Sequence, residues 1–181
     1  MWTSRSHSSV VALAASLVAA SLVLTPAGDI VNAQSNVGAP VFRAQEIAQD
    51  FGVGYAVAAG DVNGDGQTDI LAINGTDLVW FKAPEWRKEV ILAAGATTAD
   101  NVTLAPHDID GDGRLDIALG AGWTRQNTGT LQWVKQHAPG STPAWEVFPI
   151  FAEPTLHRIR WADVDGDKKQ DLLVAPLHGK G

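Results

Sequence analysis

Residues 108–116 read DIDGDGRLD and place carboxylates at Asp108, Asp110, Asp112 and Asp116. Charges packed so closely repel by ~1 kcal/mol per pair even in water, and by more when partly dried. The same alternation is a ligand set for a hard divalent cation. Calcium takes about six to eight oxygens at roughly 2.3–2.6 Å. Side chains at loop positions 1, 3, 5 and 9, with the carbonyl of position 7, can supply them. Here these are Asp108, Asp110, Asp112, the Arg114 carbonyl and Asp116.

Two further strings repeat the pattern. DVNGDGQTD offers Asp61, Asn63, Asp65, the Gln67 carbonyl and Asp69. DVDGDKKQD offers Asp163, Asp165, Asp167, the Lys169 carbonyl and Asp171. Position 12, which holds a bidentate glutamate in an EF-hand, is Ala72, Leu119 or Val174. The loops are therefore expected between strands, each pinned by a structural calcium ion. Gly66 and Gly113 at position 6 permit positive φ. The third loop has Lys168 there, where the backbone should be strained.

The elements that must position these loops form a repeat, with starts 47 and 55 residues apart at Asp61, Asp108 and Asp163. An apolar run follows each loop: ILAI, IALG and LLVA. A strand-like segment precedes each: VGYAVAAG, NVTLAPH and LHRIRWA. Downstream, LVWFK (78–82) matches LQWVK (131–135), and the Trp86–Ile91 spacing matches Trp145–Ile150. Four short strands per ~45 residues is the signature of a propeller blade. Phe42 and Ile47 share the last spacing, so VFRAQEI reads as the outer strand of a further blade. The count is two full blades and two half blades, with repeats starting near 51, 101 and 157. Closed rings need about four to eight blades, so the chain reads as a fragment of a larger ring.

The chain has 181 residues, a net charge of −7 and no cysteine. No disulfide supports the fold, and an acidic surface without a basic stripe argues against nucleic-acid binding. The opening residues carry Arg5, an uncharged run from Val10 to Leu24, and small residues at Val31 and Ala33. That is the pattern of a secretory signal peptide over 1–33, leaving 34–181 as the propeller region without a membrane span. The competing reading is an uncleaved anchor, for which the run is short.

FGVGYAVAAGDVNGDGQTDILA resembles the FG-GAP repeat, also called the VCBS repeat, of integrin-α-like propellers. The likeness covers about 41–181, although the second and third units lack the Phe-Gly start. It implies an all-β, often seven-bladed, propeller of secreted proteins with structural calcium, and it is silent about activity. GAGWTRQNTGTLQWVKQ and EPTLHRIRWADVDGDKKQDLLVAPLHGKG are also similar to the propeller of aldos-2-ulose dehydratase, a sugar lyase.

Two functions follow from these readings. One is a secreted, calcium-stabilised module that binds or scaffolds, with a protein or carbohydrate ligand. The other is the propeller domain of a keto-sugar lyase. For the second, His157 and His107 are the catalytic candidates, because each sits at an end of an innermost strand. Trp80, Trp133, Trp86 and Trp145 read as packing between blades. Trp123, with Arg125 and Asn127, reads as a carbohydrate-facing loop.

Overall fold

The computed structural model describes residues 40–122 and 129–178. Two compact units divide the chain, 1–43 and 44–181. Residues 40–43 of the first carry no strand, and Phe42 there is 90% exposed. Residues 1–33, expected above to be a signal peptide, and the Trp123, Arg125 and Asn127 loop lie outside the described residues.

The described residues of the second unit hold ten strands and no helix. The strands β1 (Ala56–Gly60), β2 (Asp69–Ile73), β3 (Leu78–Lys82) and β4 (Arg87–Leu92) form one antiparallel sheet in sequence order. A second sheet contains β5 (Asn101–His107), β6 (Asp116–Ala121), β7 (Thr130–Gln136) and β8 (Trp145–Ala152) in the same order. The third pairs β9 (Leu156–Ala162) with β10 (Asp171–Pro176). Sequential meanders of this kind are propeller blades. The fold is all-β, a partial propeller with two four-stranded sheets and one two-stranded sheet among the described residues.

Strand alternation builds the core, because successive side chains point to opposite faces. Leu71 and Ile73 of β2 join Leu78, Leu104, Ile117, Leu119 and Val134 in one cluster between the first two sheets. Ala72, on the opposite face of β2, packs instead with Val79 and Phe81. Ala118 of β6 faces the third sheet, with Leu131, Leu156 and Ile159. Full burial of each leucine or isoleucine is worth roughly 1.5–3 kcal/mol. Inner strands lie side by side, with β5 touching both β1 and β9.

Glycine allows a close approach at both interfaces: a Cβ on Gly60 of β1 would stand 2.8 Å from Leu115 Cδ2 of the second loop. A Cβ on Gly120 would stand 2.2 Å from Leu156 Cδ2 and 2.8 Å from Thr103 Cγ2, so only glycine lets the third sheet approach there.

One expected strand is missing. Residues 41–47 form no strand, although Phe42 and Ile47 have the spacing of an outer one. An outer strand needs a third strand to bond with, and none precedes it among the described residues. Two apolar side chains do not supply those backbone partners. Ile47 packs with Phe51 beside Ala72, Val79 and Phe81. The Phe51 ring meets Phe81 edge-on at 6.0 Å.

The matched tryptophans also diverge. Trp145 opens β8, but Trp86 precedes β4 at φ 56°. Trp80 and Trp145 pack against the cluster between the first two sheets, whereas Trp86 packs on the cluster with Phe81. Trp133 stacks on Phe148, with ring centroids 5.2 Å apart.

Candidate metal centres

Each aspartate string is the turn of an inner hairpin. Residues 61–68, 108–115 and 163–170 connect the first two strands of each sheet, and position 9 opens the second strand. Backbone amides turned inward hold the loop. Asp61 Oδ1 accepts from the Gly64 and Asp65 N–H groups at 2.8 and 3.0 Å, and Oδ2 accepts from Gly66 at 2.7 Å. Asp108 does the same with Gly111, Asp112 and Gly113 at 2.9, 3.0 and 2.9 Å. Asp163 accepts from Gly166 and Lys168 at 2.7 and 2.9 Å. Each of these bonds is an Asx-type turn that can form from local sequence alone.

The turns require left-handed backbone twice per loop. Position 4 is Gly64, Gly111 or Gly166, at φ 74°, 76° and 83°. Sequence reasoning fixed on position 6 and missed this one, although a glycine stands there in all three strings. Position 6 is Gly66 at φ 82°, Gly113 at φ 85° and Lys168 at φ 71°. The lysine takes the same turn against its Cβ, at a cost of about 1–2 kcal/mol.

The loops bring together positions 1, 3 and 9. In the second, carboxylate oxygens of Asp108, Asp110 and Asp116 lie within 4.8 Å of one another. Asp163, Asp165 and Asp171 do so in the third. Two oxygens on one calcium stand up to about 5 Å apart, so these sets fit its shell in both size and donor type. Asp112 and Asp167 at position 5 stand outside the triads. Their Oδ1 atoms accept instead from the Arg114 and Lys169 N–H groups, at 3.0 and 2.8 Å. In the first loop position 3 is Asn63, whose amide donates to Asp65 Oδ2 at 2.9 Å, and this bond chiefly holds Asp65 below the usual carboxylate range.

Position 9 has a second task. Asp69 Oδ2 accepts from Val62 N–H at 3.0 Å, and Oδ1 from Ala83 N–H at 2.8 Å. Asp116 accepts from Ile109 N–H at 3.3 Å and from Gln136 N–H at 2.8 Å. One carboxylate thus ties the start of the loop to the exit of the third strand. Both residues are fully buried. Burial pushes the Asp116 carboxyl up, while the Gln136 bond pulls it down. Asp171 keeps only the first bond, from Val164 at 3.0 Å, and is exposed.

The histidines meet their neighbours. The His107 ring lies 4.9 Å from the Trp161 ring of the next sheet, and the Trp161 indole donates to Ala105 O at 3.1 Å. His157 Nε2 lies 3.2 Å from an Arg158 guanidinium nitrogen. Among the described residues, neither histidine belongs to a group of three or more acidic or histidine side chains able to hold an ion. A groove of about 520 Å³ opens between the first two sheets, with Trp80, Trp145, Glu89, Arg114 and Gln136 in its walls.

Known protein families share this sequence pattern. Residues 53–81 match the FG-GAP repeat, and residues 108–174 match the FG-GAP-like repeat. The matched segments coincide with the first hairpin and third strand of the first sheet, and with the second loop through to the third. Together they span more than half of the chain, which belongs to the FG-GAP repeat proteins.

Proposed function

We propose that the chain is a secreted propeller module for binding or scaffolding, stabilised by calcium in its three aspartate loops. The observation that carries this reading is the convergence of Asp108, Asp110 and Asp116, repeated by Asp163, Asp165 and Asp171, on hairpins that occupy equivalent places in successive sheets. Those residues would hold the ion, with Asp61, Asn63 and Asp69 in the first loop. Asp65, Asp112 and Asp167, and the carbonyls of Gln67, Arg114 and Lys169, complete the sets once the turn closes on a metal. The bound ion would cancel the repulsion among the carboxylates.

Secretion follows from the leader pattern of residues 1–33, in keeping with the low affinities that suit calcium-rich surroundings. Among the described residues no helix is long and apolar enough to cross a membrane. The groove beside Trp80 and Trp145 offers aromatic faces with a carboxylate and a guanidinium, which suits a carbohydrate or a polar protein segment.

Thermal unfolding of the full chain tests the calcium reading. With calcium at about one hundred times its dissociation constant, a single site adds roughly 2.7 kcal/mol. The midpoint should therefore rise by several degrees over that in chelator. An equal midpoint in both solutions removes calcium from the account.

A further inference from the structure

The third strands of the first two sheets share the motif L-x-W-x-K, and packing does not explain its lysine. Lys82, the last residue of β3, places Nζ 3.9 Å from Asp65 Oδ2. Lys135, at the equivalent place in β7, bonds Asp110 Oδ2 across 25 residues of sequence. Both side chains of that pair are about three-quarters shielded from solvent, at 22% and 25% exposure. Arg114 adds a second cation to the same loop through Asp112 Oδ2. Among the described residues, the ion pair of the third loop is of another kind. Lys169 reaches Asp167 from within the loop at 3.9 Å, with its side chain 87% exposed.

We propose that Lys82 and Lys135 are built-in counter-cations, which hold the first two loops together without metal and lower their affinity for calcium. The inference rests on the calcium reading above. Lys82, 3.9 Å from Asp65 Oδ2, acts through its charge alone, while the Lys135 ammonium occupies a lone pair of Asp110 Oδ2 that a metal would take. It supplies one positive charge where calcium supplies two, so it relieves only part of the repulsion. Calcium must displace it, and the charge left nearby opposes the ion that enters. The displaced Lys135 ammonium has a place to go, since it already lies 5.2 Å from the centre of the Trp133 ring.

The sign of the effect separates this role from a merely structural one. Loss of a structural residue weakens metal binding, whereas loss of a competing cation strengthens it. Calorimetric titration of the full chain with calcium chloride should show one site tightened about tenfold in Lys135→Met, a change on the order of that from removing one unit charge at close range. Adding Asp108→Ala should abolish the tightened site. Lys135→Arg, which keeps the charge, should bind as the wild type does. In chelator, Lys135→Met should unfold a few degrees lower. Lys82→Met should show the same signs with smaller shifts, and it carries the test if Lys135→Met does not fold. Unchanged or weaker binding by the methionine variants, beside a wild type that binds calcium, overturns this inference alone. A wild type that takes up no calcium overturns the calcium reading together with it.

Discussion

The second and third aspartate loops hold the same triad of carboxylates in different surroundings. Asp116 is fully buried and bonds both Ile109 and Gln136, while Asp171 is exposed and bonds only Val164. The difference lies outside the loops. In the second sheet β7 runs beside β6 and delivers the Gln136 amide and the Lys135 ammonium to the hairpin. The third sheet has two strands among the described residues, and the burial of β10 alternates where every residue of β6 is buried. The loop is thus a local object, while its dryness, and with it the strength of its electrostatics, is conferred by the third strand.

The largest expected effect tests that division. In chelator, Asp116→Ala strands two half-buried N–H donors and should cost roughly 2–4 kcal/mol, the lower part of about 1–3 kcal/mol per unsatisfied group because water reaches them in part. Asp171→Ala exposes its single donor to water and should cost less than about 1 kcal/mol. Urea unfolding of both variants measures the difference, and equal losses would break the comparison.

A smaller effect sharpens it from the backbone side. Lys168 holds at φ 71° the turn that Gly113 makes at φ 85°. Lys168→Gly should therefore stabilise the chain by about 0.5–1 kcal/mol in chelator, after allowance for glycine's greater freedom when unfolded. Gly113→Lys should destabilise it by about 1–2 kcal/mol. Thermal unfolding of the two variants should shift in opposite directions.

The smallest effect concerns pH. The Lys135 ammonium holds Asp110 below its usual 3.8, and Asp110 holds Lys135 above its usual 10.5. A lowered carboxylate stabilises the fold above its unfolded pKa, and that contribution fades as pH falls through the folded value. A raised ammonium stabilises below its unfolded pKa, and its contribution fades as pH rises through the folded value. In chelator, the stability difference between wild type and Lys135→Met should be flat between about pH 5 and 9 and shrink on both sides. A difference that changes within that window would place the charge effect elsewhere.

Much of the architecture was legible in the linear chain. NVTLAPH and LHRIRWA became β5 and β9 residue for residue, and all three loops fell between their flanking strands. Period-two alternation and Asp/Gly turn chemistry act over a few neighbours, so they survive in a short string. Spacing misled where it stood in for a partner. Phe42 and Ile47 have the rhythm of an outer strand, but no third strand among the described residues pairs with them. The equivalence of Trp86 and Trp145 failed for a related reason, since each tryptophan follows the face its own sheet presents.

By itself, the sequence determined the β class and the placement of the loops, because residues within one nine-residue string make each turn, and it determined the repeat, because those strings recur. The tertiary structure decided the rest. It chose which position-9 carboxylate is dry, which lysine reaches which loop, and that His107 lies against Trp161. Those outcomes depend on residues from 17 (Lys82 to Asp65) to 54 (His107 to Trp161) positions away being brought alongside, and no local pattern encodes the pairing distance or the burial that follows from it.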